Sequence, residues 1–136
     1  MAYQVTGNEM LSLPTIRETD GAVEGVTFLH MQAKGLLEIH GDHGVLCPYL
    51  AIGGERKALA LSWKRLHEWI PVLEAEADGV AFRCVYLTPV GERAFGVRLE
   101  AANHSQIAQA VALGVDGRWD RTLHEINETG ELTIGR

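Results

Sequence analysis

The chain has 136 residues and a formal net charge of −6, close to the usual size of one domain, so a second independent core is not expected. Its longest basic runs are the pairs Arg56-Lys57 and Lys64-Arg65, which excludes the clustered Lys/Arg surface that nucleic acid requires. No apolar span approaches the about 20 residues that cross a bilayer. The opening "MAYQVTGNEMLSLP" also lacks the basic start and apolar run of a secretory signal, so a cytoplasmic protein without membrane partners is expected.

Residues 1–21 carry no sustained period and end in the turn signal Thr19-Asp20-Gly21. They read as an irregular N-terminal arm, with one β domain spanning 22–136. Beyond the arm, "LLEIH" and "VLCPYLAI" flank Gly41-Asp42-His43-Gly44, read as a hairpin turn, and Gly53-Gly54 closes the second run. The segment "KALALSWKRLHEWIPVL" places Leu59, Trp63, Leu66, Ile70 and Leu73 at helical spacing, yet Pro71 would break a helix there. A strand pair with a short helical piece is expected.

Ala77-Asp78-Gly79 then signals a hairpin, since Asp-Gly supplies the positive φ of a tight turn. It leads into Val80–Tyr86, where Val80, Phe82, Cys84 and Tyr86 share a face. In "FGVRLEAANHS", Phe95, Val97, Leu99 and Ala101 face one way while Arg98 and Glu100 face the other. Both runs have the period of half-buried antiparallel strands, and Asn103 ends the second because its side chain can bond its own backbone. "SQIAQAVALGV", with Ile107, Val111, Leu113 and Val115 at even spacing, reads as a further strand, and Asp116-Gly117 as the next turn. The fold class is therefore all-β, an antiparallel β-sandwich of about 8 to 10 strands.

Chemistry is sparse. His40 and His43 flank Asp42, and His30 lies one strand earlier, but three or four convergent ligands are needed to hold a metal and no signature is completed. His124-Glu125 lacks the second histidine of a zinc-protease helix. There is no Gly-x-Ser-x-Gly elbow and no phosphate loop. Glu74 and Glu76 share a strand face beside Asp78 and read as a solvated face, because carboxylates that cleave a glycosidic bond must flank it. Cys47 and Cys84 read as reduced, buried thiols. Trp63, Trp69 and Trp119 are the aromatic candidates, either as packing residues or as planes for stacking on sugar rings.

The run "HEWIPVLEAEADGVAFRCVYLTPVGERAFGVRLEAANHS" resembles the N-terminal β-sandwich, or super-sandwich, domain of bacterial glycoside hydrolases and phosphorylases whose catalytic unit is an (α/α) barrel. Glycogen-debranching-like and cellobiose-phosphorylase-like enzymes belong to that group. The positions carrying the resemblance are Trp69-Ile70-Pro71, Pro89 to Arg93, Phe95, Leu99, Asn103, Ser105 and Gly117-Arg118-Trp119, covering roughly residues 65–120. It implies that the opening alternation of "FGVRLEAANHS" is a central sandwich strand. It also implies that catalysis lives in a C-terminal (α/α) barrel of the same polypeptide, with no catalytic residue and no cofactor here.

The expected function is that of a non-catalytic domain of a carbohydrate-active enzyme, which packs on the barrel and lines a substrate cleft or a dimer interface. Trp63, Trp69 and Trp119 are its oligosaccharide or interface candidates, and a homodimer is a further expected partner. The alternating run Glu131–Gly135 at the chain's end fits a fragment of a longer enzyme. The alternatives are a free-standing carbohydrate-binding module and a small metal-dependent β-barrel enzyme using His30, His40 and His43.

Overall fold

The computed structural model describes residues 2–30, 35–40, 44–117, 123–126 and 132–135. Among these, every regular element is a strand: β1 (Tyr3–Gly7), β2 (Leu11–Arg17), β3 (Gly25–His30), β4 (Gly35–His40), β5 (Leu46–Ile52), β6 (Glu55–Arg56) and β7 (Ser62–Leu66) in the first half. There follow β8 (Ile70–Ala77), β9 (Val80–Leu87), β10 (Gly96–Asn103), β11 (Val111–Gly117), β12 (Leu123–Ile126) and β13 (Leu132–Gly135). They form a 6-stranded sheet ordered β1-β2-β3-β4-β12-β13, a 4-stranded sheet ordered β10-β9-β8-β7 and a 3-stranded sheet ordered β11-β5-β6. All neighbours are antiparallel. The all-β, antiparallel expectation is met, and no helix crosses a membrane among the described residues.

Two-residue turns set the registers. Asp78 and Gly79 both take positive φ (51° and 77°), as do Gly53 and Gly54 (62° and 83°), so Ala77 pairs with Val80 and Ile52 with Glu55. Positive φ at both central residues matches the right-handed twist of the flanking strands. With those registers fixed, side chains alternate between faces. Val80, Phe82, Cys84 and Tyr86 all turn inward and are buried, as the period predicts.

One core serves all three sheets. Leu11, Leu13, Ile16 and Val26 meet Leu50 and Ile52, and both groups meet Leu73, Val80, Phe82, Cys84 and Tyr86. The segment joining β2 to β3 is the seam. Val23 is fully buried and bridges Ile16 on one side and Leu46 on the other. Its N–H donates to the Leu46 carbonyl at 2.8 Å, and its own carbonyl accepts from Val45 at 2.7 Å.

From the four-stranded sheet, the buried Tyr86 hydroxyl donates to the Gly21 carbonyl at 2.5 Å, and the Trp63 indole N–H donates to the Glu18 carbonyl at 3.0 Å. Gly21 must be glycine: its φ is +79°, and a Cβ there would lie 2.6 Å from both Leu73 Cδ1 and the Tyr86 hydroxyl.

Several expectations are corrected. Residues 3–17 are not an irregular arm, because β1 and β2 pair there and Leu11, Leu13 and Ile16 enter the core. The pairing slips between Gln4 and Thr6, which face Ile16 and Leu13, so β2 carries an extra residue at Pro14–Thr15. Such a bulge breaks the period of two that the eye follows.

The segment around Trp63 contains no helical piece. It is the β7–β8 hairpin, turned by His67 and Glu68 at φ 50° and 68°. The expected Gly41–Gly44 hairpin turn falls on residues 41–43, outside the described residues; β4 and β5 on either side of them are not paired with each other. Asp116-Gly117 is not a turn, since both residues pair within the β11–β5 ladder. Finally, β10 ends its sheet. Leu99 does point inward opposite Cys84, but on an edge strand it is only partly covered.

If residues 3–17 are structural, Leu13→Ala will lower stability by about 2–5 kcal/mol, the range for emptying a core leucine site, as read by urea unfolding. A loosely attached arm would give almost no change.

Candidate functional site

The outer face of the four-stranded sheet gathers a connected set of charged side chains. Inward Leu73 and Ala75 leave Glu74 and Glu76 pointing outward, and the same alternation turns Arg83 and Glu100 to that face. The ladders then align Ser62 opposite Glu74, Glu74 opposite Arg83, and Arg83 opposite Glu100. One transverse row thus crosses all four strands. Lys64 pairs with Glu74. The Arg83 guanidinium reaches Glu100 Oε2 at 3.4 Å and lies 3.9 Å from Glu74 Oε1 through Nε, while Arg98 holds the other Glu100 oxygen at 2.7 Å.

This row floors an open groove of about 660 Å³, lined by Ser62, Glu74, Glu76, Arg83 and Glu100. Small side chains flank it, among them Ala60, Ala81 and Ala102, and their size is what leaves a hollow above the strands. The volume lies within the range of small-ligand sites, about 300–1,000 Å³. Arg83 Nε is shut off from solvent and donates no hydrogen bond, since 3.9 Å to Glu74 is an ion-pair distance and not a hydrogen-bond one. The groove therefore presents carboxylate acceptors beside the Arg83 guanidinium, whose Nε is covered. A carboxyl acting as general acid needs a setting withdrawn from water and from cations. Glu74 and Glu100 are instead part-exposed and ion-paired.

A second hollow, of about 300 Å³, lies where Thr19 and Asp20 meet Cys47, Pro48 and Lys57, with Leu73 and Phe82 at its floor. Burial pushes the Cys47 thiol up, and Asp20 adds to the shift. Burial drives Cys84 further, to about 12. Both cysteines are free, and neither is set up as a thiolate nucleophile.

The residues singled out by sequence do not assemble into a site. Trp63 is half-buried, stacks on Tyr86 with ring centroids 5.8 Å apart, and spends its indole N–H on Glu18. Trp69 is 39% exposed at the tip of the β7–β8 hairpin, where its carbonyl accepts the Thr6 hydroxyl at 3.0 Å. Trp119 and His43 lie outside the described residues. His30 pairs with Gly35 and His40 with Gly25, so the two histidines occupy opposite ends of one ladder, about 17 Å apart at the strand rise. Among the described residues no group of three or more potential metal ligands is found.

Arg83 and Glu100 were missed by sequence reasoning. Glu74 opposite Arg83 follows from the Asp78-Gly79 turn by counting back along the ladder, so that half was within reach. Glu100 was not, because the β9–β10 connection is too long to fix a register. No family model, curated protein or solved structure matches the chain.

The two placed tryptophans give a clean contrast. Trp63→Ala will cost about 3–5 kcal/mol of unfolding free energy, as deletion of a packed aromatic does, whereas Trp69→Ala will cost less than about 1 kcal/mol. Equal losses in thermal or urea unfolding would contradict the placement of Trp63 as a packing residue.

Proposed function

We propose that this chain is a non-catalytic binding domain whose groove over Glu74, Arg83 and Glu100 receives a neutral, hydroxyl-rich ligand of the oligosaccharide class. The observation that carries the reading is the transverse row itself, whose two carboxylates and one guanidinium line a groove of ligand size. Each sugar hydroxyl both donates and accepts, so adjacent hydroxyls can bridge a carboxylate oxygen and a guanidinium N–H. Alanines along the walls admit a ring without a rotamer change. The ion pairs hold both carboxylates in place before a ligand arrives, which lowers the ordering cost of binding.

The wider assignment rests on the resemblance of residues 65–120 to the N-terminal domain of (α/α)-barrel glycoside hydrolases and phosphorylases. In that reading the domain packs beside a C-terminal barrel of the same polypeptide and leaves bond cleavage to it. Ion-paired, part-exposed Glu74 and Glu100 are consistent with binding rather than proton transfer.

A titration of labelled chain with neutral gluco-oligosaccharides, followed by NMR, tests the groove directly. Amide shifts are expected at Ala81, Arg83 and Ala102, together with the Arg83 Nε–H. Arg83→Ala should weaken binding by roughly tenfold to a hundredfold, the scale of a hydrogen bond to a charged group. Shifts confined to other faces, or none at millimolar oligosaccharide, would overturn the assignment.

A further inference from the structure

β11 continues the core-facing side of its sheet past the point where the core covers it. Val111, Leu113 and Val115 lie opposite Ile52, Leu50 and Pro48 in the ladder, and those three partners are buried. Yet Val111 and Leu113 are each 36% exposed and Val115 is 42% exposed. Among the described strands, none pairs with the outer edge of β11. This edge combines unused main-chain groups with an apolar stripe, the pairing most prone to recruit another strand.

The direction of those main-chain groups follows from the neighbouring turn. Gly53 donates to the Ala110 carbonyl at 2.8 Å, and Lys57 donates to Leu50 at 2.9 Å. Ala110 therefore faces β5, while Leu50 and Ile52 face β6. In an antiparallel ladder successive residues alternate their N–H and C=O between the two sides. Ala112, Gly114 and Asp116 are then spent on β5, and Val111, Leu113 and Val115 direct theirs outward.

The strand is also self-complementary. Read either way from Leu113, small Ala112 answers small Gly114, and Val111 answers Val115. The strand's one charge, Asp116, is bound by Arg56 of the same chain through both guanidinium nitrogens, so it brings no unpaired charge to the edge. No lysine or proline on β11 blocks pairing.

We propose that β11 pairs antiparallel with β11 of a second copy about a twofold axis at Leu113, joining two three-stranded sheets into one. Leu113 exchanges main-chain hydrogen bonds with its own counterpart, and Val111 does so with Val115 of the other copy. The apolar stripes meet side by side on the same face. The occupant is a second copy because the pattern matches its own reversal and leaves no like charges opposed. The shared area is small beside the roughly 1,200 Å² of a stable interface, so the dimer dissociates on dilution.

Sedimentation of the 136-residue chain over a dilution series provides the test, with mass rising from 14.9 kDa towards twice that value at millimolar concentration. Leu113→Lys sets two ammonium groups face to face and will hold the mass at the monomer. In a Cys47→Ala background, a short bis-maleimide will join Leu113→Cys chains far faster than Val90→Cys chains, Val90 being exposed elsewhere. A monomer at millimolar concentration, a dimer that survives Leu113→Lys, or equal cross-linking at both sites would overturn the proposal.

Discussion

The Tyr86 hydroxyl is fully buried and has one acceptor, the Gly21 carbonyl. A hydroxyl taken out of water without a partner costs on the order of 1–3 kcal/mol, so this contact fixes where the four-stranded sheet sits against the connection before β3. That connection is itself pinned through Val23, which bridges β2 on one side and Leu46 on the other. Three sheets therefore converge on six residues. Trp63 adds a second bond to the same stretch and stacks on Tyr86. Burial also pushes the Tyr86 phenol well above its ordinary range, which keeps it a donor across the accessible pH range. Gly21 permits the arrangement, because any side chain there would occupy the space of Leu73 and of the hydroxyl.

That joint frees the opposite face of the four-stranded sheet. Period two puts Leu73, Phe82 and Cys84 against the core and Glu74, Arg83 and Glu100 on the groove, so the same strands serve both faces. A charged row on paired strands is more rigid than one on loops, because each side chain inherits the register of its ladder. The Asn103 turn closes the end of β10: its side chain accepts from the Ser105 N–H at 3.0 Å and donates to the Ile107 carbonyl at 2.8 Å. Gln109 ties this turn back to the Asp78 carbonyl at 2.8 Å, so the hairpin and the turn brace each other beside the groove.

Much of the fold was legible where one local rule decides it. Asp78-Gly79 and Gly53-Gly54 supply the positive φ that a two-residue hairpin turn requires, and the face of Val80–Tyr86 follows from the first of them. A local rule also made the Asn103 turn legible. Legibility failed where distant partners decide. The β2 bulge hides Leu11, Leu13 and Ile16 from a period-two reading, and β1 disguises itself by burying Thr6 while exposing Val5. Asp116-Gly117 carries a turn signal that the β5 ladder overrides. Trp63 and Leu66 match a helical spacing, but non-glycine residues at positive φ turn the chain at His67 and Glu68. In the candidate site, solvated Glu74 was legible, whereas its meeting with Arg83 and Glu100 depends on pairings that no local pattern encodes.

Native-state hydrogen exchange at the Val23 and Val45 amides tests the central joint most directly. Both are bonded at the seam, at 2.8 and 2.7 Å, so they should open only with global unfolding, at the rate of the slowest amides in β8 and β9. Exchange at either amide many times faster than in β8 and β9 would mean that the sheets separate there first, contradicting a fold held together at residues 18–23.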